Sequence, residues 1–74
     1  MGGMGGYKLG EKVFFTGASK TWDDGDKLVH GQQGEVVGPG TGDEALTHVG
    51  VRFPVNKGNI ECALTNVRRP LVRL

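Results

Sequence analysis

The side chains able to carry chemistry in this chain are few, and their spacing matches little known chemistry. His30, His48 and Cys62 are the nitrogen and sulfur candidates for a metal, and they form no Cys-x-x-Cys or His-x-x-x-His pair. Asp23-Asp24-Gly25-Asp26 gathers carboxylates but lacks the full calcium loop and its closing Glu. Asp and Gly in that run suit a solvated turn. Ser19, the one serine, has no Gly-x-Ser-x-Gly elbow around it. Cys62 falls on the inward side of an alternating stretch, where a free thiol behaves as a small hydrophobe. Gly38-Pro39-Gly40-Thr41-Gly42 is glycine-rich, but Asp43 and Glu44 follow it in place of Lys-Ser/Thr, and they would repel phosphate. The expectation is no catalytic group, no metal and no cofactor.

Binding is the better use for these residues. Trp22 lies in a long loop between Lys20-Thr21 and the acids Asp23, Asp24 and Asp26. A lone Trp in such a loop either folds back to cap the core or stays exposed to a partner. An exposed Trp beside carboxylates suits a basic or Arg-containing peptide. The expected partner surface is Trp22, Asp23, Asp24 and Asp26, flanked by a hairpin with Asn56, Lys57 and Asn59. The alternative is a nucleic-acid face of Arg52, Lys57, Arg68 and Arg69, with Arg73 nearby in sequence. These cations fall in the second half of the chain, while acids concentrate at Asp23 to Asp26 and at Asp43-Glu44. Few aromatics accompany the cations, which weakens stacking on single strands.

The elements that would position these residues follow from glycine and from period-two alternation. Fourteen glycines punctuate the chain, and from Tyr7 to Asn59 no ten-residue stretch is free of both Gly and Pro. Gly costs about 1 kcal/mol relative to Ala inside a helix, so short strands joined by turns are expected. The first strand is Lys12 to Thr16, with Val13 and Phe15 on one face and Phe14 on the other. A loop from Gly17 to about Lys27 follows. The second strand spans Gly34 to Val37, with an extension back towards Leu28, and Gly38 to Gly42 stops it as a mobile connector. In the third, Val49, Val51 and Phe53 alternate with His48, Gly50 and Arg52 until Pro54. After a hairpin through Val55 to Gly58, Ile60, Cys62 and Leu64 alternate with Glu61 and Ala63. Leu64-Thr65-Asn66 reads as one tight turn, and Val67 to Leu74 as a last strand that Pro70 confines to a sheet edge.

Length and charge bound the rest. Seventy-four residues make one domain, with a core expected to supply only about 3–5 kcal/mol. Met1 to Gly6 reads as a flexible glycine tail, leaving residues 7–74 as the domain. The net charge of +1 provides no strong field for DNA or an acidic membrane. No apolar run is longer than Val13-Phe14-Phe15, too short for a membrane span or a signal-peptide core. A soluble intracellular domain, cytoplasmic or organellar, is expected.

Five short strands, a long first loop and a one-turn bend before the last strand is the order of an SH3-like barrel. Gly31-Gln32-Gln33-Gly34-Glu35-Val36-Val37 resembles the Gly-x-x-Gly-x-Val turn and strand of small barrels, KOW motifs among them. Leu9-Gly10-Glu11-Lys12-Val13 resembles the start of such a domain, and Gly50-Val51-Arg52-Phe53 its third strand. The chain is also similar to repeat units of multi-copy SH3-like proteins of unicellular algae, through Gly34 to Pro39 and Phe53 to Asn59. The third strand and Thr65-Asn66 are similar to the small barrel subunit of photosystem I. The chain departs from signalling SH3 domains. It has no Ala-Leu-Tyr-Asp-Tyr run, and three of its five aromatics are Phe suited to the core, so proline-rich ligands are not implied.

Together these readings expect an all-β fold, a five-stranded SH3-like barrel with a one-turn helix before the last strand. Its expected role is a non-catalytic protein-interaction or scaffolding module, one unit of a larger or repeated assembly, with a protein or peptide partner. A KOW-like RNA- or ribosome-associated barrel is the alternative. Edge strands also invite self-association.

Overall fold

The computed structural model describes residues 5–70. The chain folds as seven strands: β1 (Lys12–Phe15), β2 (Lys20–Thr21), β3 (Lys27–Leu28), β4 (Gln33–Pro39), β5 (His48–Arg52), β6 (Ile60–Ala63) and β7 (Val67–Arg68). The helical content among the described residues is two 3-10 turns, Gly42–Glu44 and Leu64–Asn66. The fold is all-β.

β1, β4, β5, β6 and β7 form one antiparallel sheet in the order β6-β5-β4-β1-β7, and β2 pairs with β3 in a separate hairpin. The sheet is open among the described residues, with β6 and β7 at its edges. A register shift between Val36 and Gly38 interrupts the β4–β5 ladder, and such bulges bend and twist a sheet. The core follows the alternation. Val13 and Phe15 of β1, Val36 of β4, Val49 and Val51 of β5, Phe53 just beyond it, Cys62 of β6 and Val67 of β7 are all buried. Leu28 of the separate hairpin joins them and anchors that hairpin to the sheet. The rings of Phe15 and Phe53 meet edge to face, 6.5 Å apart.

Several expected boundaries move. The loop after β1 contains β2 and β3, two-residue strands too short to leave a period-two signature. β4 runs on to Pro39, beyond the expected stop at Val37. The segment after it is tied down, since Thr41 donates to the Glu61 carboxylate from both its amide (3.2 Å) and its hydroxyl (2.5 Å). Leu64 opens the 3-10 turn and does not extend β6. β7 ends at Arg68 and lies at a sheet edge, as Pro70 implies. The further strand residues expected at 71–74 lie outside the described residues, as do Met1 to Met4 of the expected tail. Gly5 and Gly6 form a turn with positive φ, and the Gly6 carbonyl accepts a hydrogen bond from Arg69.

Candidate partner-binding site

The β2–β3 connection is built by its own acids. The Trp22 amide donates to the Asp26 carbonyl (2.8 Å), and the Gly25 amide to the Trp22 carbonyl (3.1 Å). The Asp26 amide donates to the Asp24 carboxylate (3.0 Å), a local bond that fixes a turn. Gly25 sits at φ +96°, where a side chain would be strained.

A second hairpin, between β5 and β6, clamps this one. In the antiparallel β2–β3 pair, Lys27 turns its amide and carbonyl away from β2. The Asn56 carboxamide meets both: Oδ1 accepts from the Lys27 amide and Nδ2 donates to the Lys27 carbonyl, each at 2.8 Å. One side chain thus stands in for a neighbouring strand. Beside it, the Lys57 amide donates to the Asp26 carboxylate (3.0 Å), and its ammonium to the Asp24 carbonyl (2.5 Å). The expected partner set is therefore brought together. Trp22, Asp24, Asp26, Asn56 and Lys57 form one linked cluster, Asn59 lines a groove beside Trp22, and Asp23 is exposed at the tip. Asn56→Ala removes both bonds to Lys27 and is expected to cost about 1–3 kcal/mol. A lowered urea midpoint, with faster amide exchange at Lys27 than at Val51, would report it.

Trp22 takes an intermediate position between the two readings of its role. It is half-buried against the core, with the Lys20 ammonium 5.0 Å from its ring centre. It forms a ridge shared by two grooves. One, of about 360 Å³, is lined by Trp22, Asp24, Asp26, Asn59, Ile60 and Glu61. The other, of about 340 Å³, runs between Ala18, Lys20 and Trp22 on one side and Ile60, Glu61 and Ala63 on the other. Glu61 lines both grooves, with its carboxylate bonded to Thr41. The Thr41 hydroxyl and amide hold it below the usual carboxylate range, so it stays anionic at neutral pH.

Cys62 lies beneath the second groove, and desolvation pushes its thiol up to about 11. The thiolate is the reactive form. Iodoacetamide at pH 8 should therefore modify native Cys62 at least about tenfold more slowly than the urea-unfolded chain. Because the thiol ionises more easily when unfolded, this group's stability contribution is complete below the unfolded pKa and is lost as pH rises towards the folded value.

The histidines serve local structure. The His30 amide donates to the Ser19 hydroxyl (3.0 Å), and its Nδ1 meets the Gly17 carbonyl at 3.1 Å, so that nitrogen carries the proton. His48 Nδ1 bonds the Thr47 hydroxyl at 2.8 Å, and its Nε2 lies 3.7 Å from Glu44. Among the described residues, no three His, Cys, Asp or Glu converge as a metal site.

The expected cationic set is divided. Arg52 lies across from Glu35, and Glu35 across from Lys12, on the outer face of the sheet. Lys12 and Glu35 form an ion pair at 3.3 Å. In the next row Phe14 lies between Gln33 and Arg68. Arg52 and Arg68 thus share a face with Lys12 and Phe14, which the sequence reading did not include. Alternation along β1 puts Lys12 and Phe14 on one side, but the partners of β1 come only from the sheet order. Arg69 turns elsewhere, to the Glu11 carboxylate, the Gly6 carbonyl (2.8 Å) and the Tyr7 ring (4.4 Å). The Lys8 amide first, and Arg69 with it, lower the pKa of Glu11. Lys57 belongs to the acidic hairpin, and Arg73 lies outside the described residues.

No family model matches this chain, and no curated protein or solved structure does either. No helix among the described residues is long and apolar enough to cross a membrane.

Proposed function

We propose that the chain is a non-catalytic protein-interaction module on an SH3-like small barrel, one unit of a larger or repeated assembly. The order β6-β5-β4-β1-β7, the long β1–β4 connection and the 3-10 turn before β7 support the barrel reading. The observation that carries the function is the clamp of Asn56 and Lys57 on the β2–β3 hairpin. It holds Trp22 and the Asp24 and Asp26 loop in one geometry before any partner arrives. A pre-formed aromatic ridge loses little entropy on binding, and Trp is enriched among the residues that dominate interface energy.

The test is capture on the immobilised chain from source lysate, with and without nuclease. Partner protein should survive nuclease, and Trp22→Ala should weaken its binding by about 30-fold, the effect of a strong interface anchor. Capture that is unchanged in Trp22→Ala would overturn the reading.

One observation favours a second reading. Lys12 and Arg68 flank Phe14 on the outer face, and Arg52 lies beyond Glu35 on that face, an arrangement able to meet phosphates and one stacked base. In that case affinity for RNA would fall steeply with salt, and each of Lys12→Ala, Arg52→Ala and Arg68→Ala would reduce the log–log slope by about 0.7.

A further inference from the structure

We infer that the free edge of β6 takes up an extended peptide as an added strand, one that alternates cationic and apolar side chains. The inference rests on the interaction-module reading and names the class of partner. It starts from the phase of the β5–β6 ladder. The Leu64 amide donates to the Thr47 carbonyl at 2.9 Å, and Ala63 lies opposite His48. Hydrogen-bonded pairs alternate along an antiparallel ladder, so Cys62 and Ile60 also bond to β5. Glu61 and Ala63 therefore turn their amides and carbonyls away from the sheet. The Ala63 carbonyl caps the 3-10 turn that follows; among the described residues, the Glu61 amide and carbonyl and the Ala63 amide meet no backbone or side-chain partner. They face the groove of about 340 Å³ that separates β6 from the β2–β3 hairpin.

The outer edge of β2 borders the same groove as β6, and the edges facing elsewhere are guarded. β7 carries Arg68, is followed by Arg69 and ends before Pro70, and such residues block pairing. Asn56 covers the outer edge of β3. β6 has no proline and no lysine, and at four residues it is longer than the two-residue β2 across the groove, so it is the edge that offers a ladder for β-augmentation, in which backbone bonds provide affinity and alternate side chains provide specificity.

The flanking chemistry sets the side chains of the added strand. On the outer face the strand passes Glu61, which carries a charge, and it then reaches Asp24 and Asp26. An opposite charge directly across from Glu61 is favourable, so alternate positions carry Arg or Lys. The positions between them turn towards Ile60 and the Trp22 ridge and are apolar.

The experiment titrates isotope-labelled chain with a capped Arg-Val-Arg-Val-Arg-Val peptide, a Glu-Val counterpart, and the Arg-Val peptide N-methylated at alternate amides. The Arg-Val peptide should slow exchange of the Glu61 and Ala63 amides about tenfold or more at saturation, while the other two bind at least about tenfold more weakly. Ala63→Pro is the matching change in the protein. Ala63 sits at φ −59° with an amide outside the ladder, so proline fits the backbone while removing a donor. It should weaken Arg-Val binding about tenfold or more, and the N-methylated peptide decides the matter if this variant does not fold. A response at the Trp22 indole with none at the Glu61 and Ala63 amides overturns strand addition and leaves the module reading intact. Silence at both sites overturns strand addition, and the lysate capture with Trp22→Ala then decides the module reading by itself. Protection of the edge amides that grows with protein concentration alone identifies a second copy as the occupant and also overturns the peptide assignment.

Discussion

Phe53→Ala is expected to abolish the folded state. Phe53 is fully buried, and its ring meets Phe15 edge to face. Phe-to-Ala changes in cores cost about 3–5 kcal/mol, through lost transfer energy and the cavity left behind. A core of this size supplies about 3–5 kcal/mol in total, so the loss equals the whole margin. Far-ultraviolet circular dichroism should show no cooperative thermal transition, and the amide spectrum should collapse to unfolded shifts. Phe53→Leu, which keeps most of the volume, should still unfold cooperatively at a lower midpoint. Val55→Ala is the control two residues further on. Val55 is 60% exposed, and its loss should stay within about 0.5 kcal/mol. A cooperative, near-native transition in Phe53→Ala would refute this account of the core.

Gly34→Val should be comparably severe for the opposite reason. Gly34 faces inward on β4, opposite Val13 of β1. A Cβ placed there would lie 2.5 Å from Val51 Cγ1 and 2.8 Å from the Phe53 ring. Both neighbours are fully buried and cannot swing aside. Overpacking of this kind costs about 1–3 kcal/mol and sometimes more, and valine adds two methyl groups beyond that first clash. Gly34→Ala should therefore lower the urea midpoint clearly, and Gly34→Val should leave little folded chain. The double change Gly34→Ala with Val51→Ala is the diagnostic. Removing the Val51 methyls opens the space that the new Cβ needs, so the two losses should add to less than their sum. Strict additivity would mean that Gly34 is required for some other reason than the space beside Val51 and Phe53.

The clamp and the free edge bear on function in different ways. Asn56 satisfies an edge that would otherwise compete for partners, while β6 is left unsatisfied beside Trp22. If both assignments hold, Asn56→Ala should loosen the hairpin and weaken partner binding by releasing the Trp22 loop from its clamped geometry. Trp22→Ala should weaken binding without changing exchange at Lys27.

How far the sequence could be read depended on whether the signal was local. The inward set Val49, Val51 and Phe53, the inward Cys62, the Leu64–Asn66 turn and the edge position implied by Pro70 were all legible. Each follows from alternation or backbone chemistry within a few residues. The proximity of the Trp22 loop to Asn56 and Lys57 was expected from the order of elements, but the means of contact was not. β2 and β3 left no pattern because two residues cannot establish a period. Alternation reports which face a side chain takes and is silent about which strand lies next to it. Hence Lys12 and Phe14 joined Arg52 and Arg68 only once β1 was seen between β4 and β7. Arg69 left the expected cationic face for Glu11, 58 positions earlier, and Asn56 reached Lys27 across 29. By itself the sequence determined an all-β chain with a small Val and Phe core, because burial of alternate side chains is a local demand. The tertiary structure alone decided which hairpin is clamped, which cations share a face and which edge stays open, because those depend on pairings between segments that no local pattern encodes.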